Sequence, residues 1–414
     1  MTHSPSTPPA SAQNAENTGE TIAVVRMKPK AEVRAIRHGF PWVFSDEVVT
    51  DRRTKALKPG SLARLEDSER RPLGLVAINM NSKITCRMLD RNPDAVIDIA
   101  WFEARLQRAL EHRERLFDTP YYRLVHAESD GLPGVVIDRF GDAAVIQPNA
   151  AWADVHLDDL AQALVNVTGV TTIVKNAAGR SRVLEGLNEE TILLQGSLDG
   201  PIPVPMNGAI YMADLMGGQK TGLFYDQRAN HVFTQRLCKD ARVLDMFSHV
   251  GGFSLAALAG GATSALAVDS SAPALELAEA GAAKMGKSDV FSTRKGDAFA
   301  VLEDLAKEGA KFDVVVCDPP AFAPNKKSLE AGLRAYERVA RLAAPLVAEG
   351  GYLVVCSCSH AVDLTRFRNS SARGIGRGGR RAVQIHAGSA GADHPLLPQL
   401  AQSGYLKALF FRLD

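Results

Sequence analysis

Five side chains in the C-terminal half of this 414-residue sequence have the types and spacing to do chemistry together: Asp245, Asp269, Asp297, Asp318 and Cys358. Each stands at the end of a short run that reads as a β-strand, and in an open parallel sheet ligands collect at the carboxyl ends of strands. A carboxylate there can hold a ribose diol or an amino group. A thiol there can attack carbon, provided it is ionised. An ordinary thiol, with a pKa near ~8.5, is only a few per cent thiolate at neutral pH, so a nucleophilic Cys358 needs local activation. The other reading of Cys358 is a small buried residue. Cys356, two positions earlier on the same side but deeper, reads as core, and Cys317 points to the opposite side from Asp318.

Asp318-Pro-Pro-Ala-Phe is the most specific of these stretches. Pro319 and Pro320 lock an extended backbone that has no amide donors of its own and leaves carbonyls outward. A planar amino group is the natural guest, with Phe322 available to stack on it; a rigid loop without chemistry is the plainer alternative. The elements that must position these groups follow from the pattern. Val243-Leu-Asp-Met-Phe-Ser-His-Val-Gly-Gly-Phe reads as strand, tight turn and helix start, with the turn facing a ligand above the sheet. The next strand, Ser264 to Val268, ends in Asp269, 24 positions after Asp245, where such folds hold a ribose. Gly-x-Gly-x-x-Gly is absent and only Gly251-Gly252 is present, so a nucleoside cofactor without phosphates, S-adenosylmethionine, fits better than a dinucleotide. Helices alternate with strands from there on: 272–284, 298–307, and a long helix from Leu329 that Pro345 must kink or end. Gly350-Gly then opens the strand that leads to Cys358. The predicted fold class is α/β, a doubly wound, Rossmann-like sheet.

The rest of the chain reads differently. Residues 1–20 are polar and Pro/Ser/Asn-rich, the composition of a disordered tail. Residues 21–95 show short alternating runs broken by Lys58-Pro-Gly and Asn79-Met-Asn, which predicts a small β-rich barrel. That window holds 15 Lys/Arg against 9 Asp/Glu, whereas the remainder holds 33 against 38. A basic module on a near-neutral body reads as a nucleic-acid contact, or as a solvated charged face. Arg37-His-Gly-Phe-Pro-Trp-Val-Phe sets cations beside aromatics, suited to phosphates and bases, so Arg37 and Trp42 are candidate contacts; Trp42 and Phe44 also alternate as strand core residues do. A helix from Ile99 to about Phe117 and several strands up to Gly200 form a central α+β unit, leaving 201–414 for the sheet domain. In the central unit His126, Glu128 and Asp130 look like a catalytic cluster, but are at least as well placed for a hydrogen-bonded hub. Six arginines, Arg366, Arg368, Arg373, Arg377, Arg380 and Arg381, predict a second cationic surface flanking the cleft. Five cysteines, odd in number and apolar in setting, indicate a reducing, cytoplasmic location and no disulfide framework; no Cys-x-x-Cys or His-x-x-His pair offers a metal site. No apolar run approaches the roughly 18 residues of a membrane helix, so no membrane partner is expected.

Taken together, Arg37-His-Gly-Phe-Pro-Trp-Val-Phe, Ala127-Glu-Ser-Asp-Gly-Leu-Pro-Gly, Gly218-Gln-Lys-Thr-Gly-Leu-Phe-Tyr-Asp-Gln-Arg, Phe247-Ser-His-Val-Gly-Gly-Phe, Asp318-Pro-Pro-Ala-Phe, Ser357-Cys-Ser and Tyr405-Leu-Lys make the chain resemble the bacterial 23S ribosomal RNA cytosine-C5 methyltransferases, from about Val25 to Leu413. The resemblance implies an N-terminal PUA domain, a central α+β domain and a Rossmann-like class I methyltransferase domain that uses S-adenosylmethionine. It implies attack on cytosine C6 by Cys358, with Asp318 holding the base. It implies a cofactor set of Gln219, Phe247, Gly251, Gly252, Asp269 on the ribose and Asp297 on the adenine. Pro319, Pro320, Phe322, Arg37 and Trp42 are then the substrate contacts, 23S ribosomal RNA or a large-subunit precursor is the partner, and there is room for a homodimer. The sequence departs from the family in three places: Ala321 stands for a Lys, His360 for a Gly, and Gly374, Gly376, Gly378 and Gly379 interrupt the helix expected after Phe367. A guanine-N2 methyltransferase, which needs no thiol, and a non-catalytic RNA-binding protein are the rival readings.

Overall fold

The computed structural model describes residues 22–218, 222–400 and 404–414; the expected N-terminal tail and Gln219 lie outside the described residues. The basic N-terminal stretch folds into a five-stranded sheet in the order Ala23–Arg26, Ser61–Glu66, Pro72–Ile78, Ile84–Asp90, Trp42–Phe44. A bridge between Met27 and Val48 joins the chain just past the two edge strands and closes the sheet on itself. Inward residues Val25, Val43, Leu65, Val76 and Cys86 fill the barrel.

The central unit is a second five-stranded sheet, Ile192–Gln195, Thr172–Lys175, Ala143–Pro148, Val135–Phe140, Tyr121–His126, covered by helices Ile99–Glu114 and Leu157–Thr168. Phe102 and Trp152 lie parallel at the middle of that core, and Trp101 meets both edge-on. The His126–Glu128–Asp130 cluster is tied into a hydrogen-bonded hub. Arg113 makes a two-pronged pair with Asp130, at 2.7 Å to each oxygen. Glu128 bonds Trp42 and Arg87 across the join to the barrel. Burial and the neighbouring His394 hold His126 down near 2, so it stays neutral.

The third sheet has seven strands: β1 (Arg242–Met246), β2 (Ser264–Asp269), β3 (Phe291–Lys295), β4 (Phe312–Cys317), β5 (Val347–Ser357), β6 (Ala382–Gly388) and β7 (Lys407–Leu413), in the order β3-β2-β1-β4-β5-β7-β6. Strands β1 to β5 are parallel and β7 runs against both neighbours. Near-continuous apolar runs such as Val314-Val-Val-Cys are what a strand covered on both faces requires. Helices Gly252–Ala259 and Ala272–Lys284 cover one face, together with the hairpin Ile202–Met206/Ala209–Ala213. Helices Ala298–Lys307, Leu329–Ala343 and Leu364–Arg377 cover the other.

Two expectations change here. The helix after Phe367 is not interrupted: it runs from Leu364 to Arg377 through Gly374 and Gly376. A Cβ at Gly374 would run into the Glu337 carbonyl and come within 2.8 Å of the Ala340 methyl, so that glycine is there for close helix packing. The C-terminal arginines are largely engaged within the fold. Arg373 and Arg377 pair with Glu337, and Arg380 donates to the carbonyls of Ala344, Val347 and Ala348. Those carbonyls lie at the opening end of β5, away from the strand ends where ligands bind.

Candidate functional site

The site is built at the carboxyl ends of β1, β2, β4 and β5. At β1 the turn is strained: Phe247 and His249 both take left-handed backbone conformations, φ +62° and +49°. For residues with a side chain this costs about 1–3 kcal/mol each and is found chiefly where function over-determines the backbone. What holds it is Asp269 at the end of β2, which accepts the His249 amide at 2.9 Å on one oxygen and the Ser271 amide at 2.9 Å on the other. Asp269 is thereby fixed in direction, as a ribose-binding acid needs to be. Asp245 lies underneath. It is fully buried, accepts the Ser254 amide at 2.8 Å, and burial pushes its carboxyl up to about 7. It is an anchor for the helix that follows.

The two glycines of this turn serve the fold in a way the sequence does not suggest. The amides of Gly251 and Gly252 both donate to the Ser248 carbonyl. A Cβ at Gly251 would meet Ala278 and Leu255, and one at Gly252 would meet His231. Their bareness therefore answers the protein's own packing. Asp297 is exposed and caps the helix Ala298–Lys307 by accepting the Ala300 amide at 3.0 Å. Phe322, expected to stack on a target base, sits in an aromatic group of the protein's own. Its ring packs 5.0 Å from Tyr336 and stands 6.2 Å from Phe299 and 6.5 Å from Phe247. One of those neighbours, Phe247, lies in the turn after β1, and another, Phe299, in the helix that Asp297 caps.

At β4 and β5 the positioning comes from distant side chains. Gln227, in the short turn before helix Arg228–Gln235, donates to one oxygen of Asp318 at 2.9 Å. Asn230, one helical turn on, donates to Gln227 at 2.6 Å and to the Ser389 carbonyl at 3.2 Å. Gly388 leaves room for this relay, since a Cβ there would overlap the Asn230 amide oxygen. Pro319 is buried and Pro320 exposed. Their loop is tied to the end of β5 through Ser359, whose hydroxyl accepts the Ala323 amide at 3.0 Å and bonds the Tyr336 hydroxyl at 2.8 Å. Cys358 lies between Ser357 and Ser359 and is half-buried; the other four cysteines are buried. Burial, and then the Asp318 charge, push the Cys356 thiol well up; burial, and then the Asp245 charge, push Cys317 up. Around Cys358 stand Tyr405, whose hydroxyl donates to Asp226 at 2.5 Å, and Lys407, which donates to the Ser359 and Val362 carbonyls at 2.7 Å each.

In the barrel, Arg37 is exposed and pairs with Asp67 at 2.7 Å. Trp42 has a structural partner that its sequence neighbours do not suggest. Its indole N–H donates to Glu128 at 2.8 Å, so its polar edge joins barrel to central unit. Sequence reasoning gave no role to Gln227, Asn230, Ser359, Tyr405 and Lys407. Asp226-Gln-Arg, Ser357-Cys-Ser and Tyr405-Leu-Lys stood out as motifs, and nothing local said what they touch. Among the described residues there is no group of His, Cys, Asp or Glu that could hold a metal ion, and no helix is long and apolar enough to cross a membrane.

A seven-stranded sheet in this order, with an acid at the end of β2 and an Asp-Pro-Pro loop after β4, defines a class I methyltransferase. The profile of the S-adenosylmethionine-dependent methyltransferase family matches residues 188–412, and that of the PUA-like domain residues 25–91. The fold is that of the SMU.776 protein complexed with SAH, with a TM-score of 0.79 at 20% identity over 95% of this chain and 100% of that one. The ribosomal RNA large subunit methyltransferase I of Cronobacter sakazakii is 34% identical over 91% of this chain and 96% of its own length. That of Tolumonas auensis is 35% identical over 95% and 99%. This chain belongs to the same family, the S-adenosylmethionine-dependent methyltransferases typified by ribosomal RNA large subunit methyltransferase I. Its cofactor is S-adenosylmethionine.

Proposed function

We propose that this protein methylates carbon 5 of a cytosine in the RNA of the large ribosomal subunit, 23S ribosomal RNA or its precursor, through a covalent adduct with Cys358. The relatives' names support the RNA class. The observation that carries the cysteine chemistry is the half-buried Cys358 at the end of β5, on a loop that one hydroxyl, Ser359, ties to the Asp318-Pro-Pro loop. Cytosine C5 is a poor nucleophile until a thiolate adds at C6, after which C5 carries enamine-like electron density. S-adenosylmethionine supplies the methyl group that C5 then takes. When the C5 proton passes to solvent, the C5–C6 double bond re-forms and the S–C6 electron pair returns to Cys358.

The remaining roles are assigned by position. Asp318, oriented by Gln227, holds the N3/N4 edge of the base, which must leave its stack at a cost of a few kcal/mol. Asp269 takes the ribose hydroxyls and Asp297 the adenine edge, with Phe247, Phe299 and Phe322 walling the adenine. Gly251 and Gly252 shape the turn. Arg37, on the exposed face of the barrel, meets phosphate. The protein acts in the cytoplasm.

The test is RNA containing 5-fluorocytidine, because fluorine at C5 cannot leave as a proton does. We expect an adduct that survives denaturing gels, requires S-adenosylmethionine, persists in Cys356→Ala and is lost in Cys358→Ala. Trapping by the Cys358→Ala protein would remove the assignment. Methylation of guanine with no trapping at all would favour the thiol-free chemistry.

A further inference from the structure

A thiol adds to C6 only as thiolate, and the chemistry above gives the Cys358 proton no destination. The titratable and charged groups around this end of β5 come from several elements. Tyr336 on helix Leu329–Ala343 and Tyr405 before β7 are phenols that burial pushes up, so neither takes a proton near neutrality. Asp363 caps helix Leu364–Arg377 and pairs with Arg366 at 3.5 Å. Asp318 is held by Gln227, and Asp226 by Tyr405. Arg123 is committed to Asp138 through two bonds of 2.8 and 2.9 Å. His360 lies on the same loop, its ring 5.3 Å from that of Tyr405.

Lys407 is different. It opens β7 in register with Ser357, and its Nζ donates to the carbonyls of Ser359 and Val362, both on the loop that begins at Cys358. An amine nitrogen has four tetrahedral positions. One is Cε and two are filled by those N–H bonds. The fourth carries a lone pair in the neutral amine and a proton in the ammonium. Cys358 is the acidic group that acts most strongly on this nitrogen, ahead of Asp363.

We propose that Lys407 takes the proton of the Cys358 thiol and, as ammonium, holds the resulting thiolate for attack. The S–H bond breaks, the proton moves to Nζ, and sulfur keeps the electron pair that forms the bond to C6. Burial pulls the Lys407 ammonium down to about 8, close to the ordinary thiol value near ~8.5, so the transfer is nearly balanced. Lys407 is a positioning and activating residue within the Cys358 chemistry proposed above, and the inference rests on that reading only for its consequence in catalysis.

The experiment is the rate of Cys358 alkylation by iodoacetamide in the full-length protein against pH, read peptide by peptide; the other cysteines are buried. The wild-type midpoint is expected below ~8.5. Lys407→Met raises it by at least about 1 pH unit and slows alkylation at pH 7 about tenfold. Lys407→Arg, which keeps a cation in place, leaves the midpoint at or below the wild-type value. An unchanged midpoint in a folded Lys407→Met protein overturns the proposal, as does a Lys407→Arg midpoint that rises with Lys407→Met, which would mean loop damage. Alkylation needs no RNA, so a failure of the 5-fluorocytidine trap with these shifts intact would sink Cys358 as nucleophile while leaving the pair standing.

Discussion

The two halves of the strand-end site are organised on different principles. On the β1–β2 side the chain uses its own backbone: two left-handed residues, Phe247 and His249, and a carboxylate, Asp269, that takes one amide from that turn and one from Ser271 just after the strand. On the β4–β5 side it uses side chains recruited from far away, with Gln227 reaching Asp318 across 91 positions and Lys407 reaching the Ser359 carbonyl across 48. A nucleoside common to many enzymes can be met by a stereotyped turn. On the function proposed above, a base that must be gripped and attacked needs groups whose orientation is set one at a time.

If the halves are separable, variants will divide cleanly between them. The largest effect is expected for Cys358→Ala, which lowers methyl transfer about a thousandfold or more while leaving the affinity for S-adenosylmethionine unchanged by calorimetry. Asp269→Ala should do the reverse at the cofactor, weakening binding by about 1.5–3 kcal/mol, the range for hydrogen bonds to a charged group. A Cys358→Ala protein that also lost the cofactor would break the comparison. Smaller is Gln227→Leu, which leaves Asp318 without its donor and should reduce single-turnover methyl transfer about tenfold, near 1–1.5 kcal/mol, again at constant cofactor affinity. A drop in affinity instead would move Gln227 to the other half.

The smallest effect tests the buried anchor beneath the cofactor turn. Asp245 is raised to about 7 by burial, against about 3.9 in an unfolded chain. The folded state therefore binds the extra proton between those values, and stability falls as pH rises from about 4 to about 7. Asp245→Asn keeps an acceptor for the Ser254 amide and removes that titration. Its melting temperature should match wild type near pH 4 and exceed it by a few degrees above pH 7. Equal melting at pH 8 would mean that Asp245 is not desolvated.

How much of this could be read in the sequence follows the same division. The strand ends at Asp245, Asp269 and Asp318 are visible because apolar runs stop there, and the helix ending at Ala343 is visible because Pro345 follows it. Local periodicity carries that information. The Gly374 and Gly376 helix was misjudged because glycine is a poor helix former in isolation, and only the neighbouring helix at Glu337 and Ala340 explains why it is used. Trp42 and Phe322 have the residue types of base-stacking contacts, and their tertiary partners, Glu128 for one and Tyr336 and Phe299 for the other, could not be read from the local sequence. Gln227, Asn230, Ser359 and Lys407 could not be assigned, since each acts through a partner in another element.

Gly388 has no functional group and sits at the end of β6, outside every motif of the chain, yet its missing methyl is the space in which the Asn230 amide turns toward Gln227. A change there to alanine would pass any inspection for conservative substitutions. The vulnerability of this enzyme to inherited variation is accordingly wider than its chemistry: an inert position, three contacts from the Asp318 carboxylate, helps set where that carboxylate points.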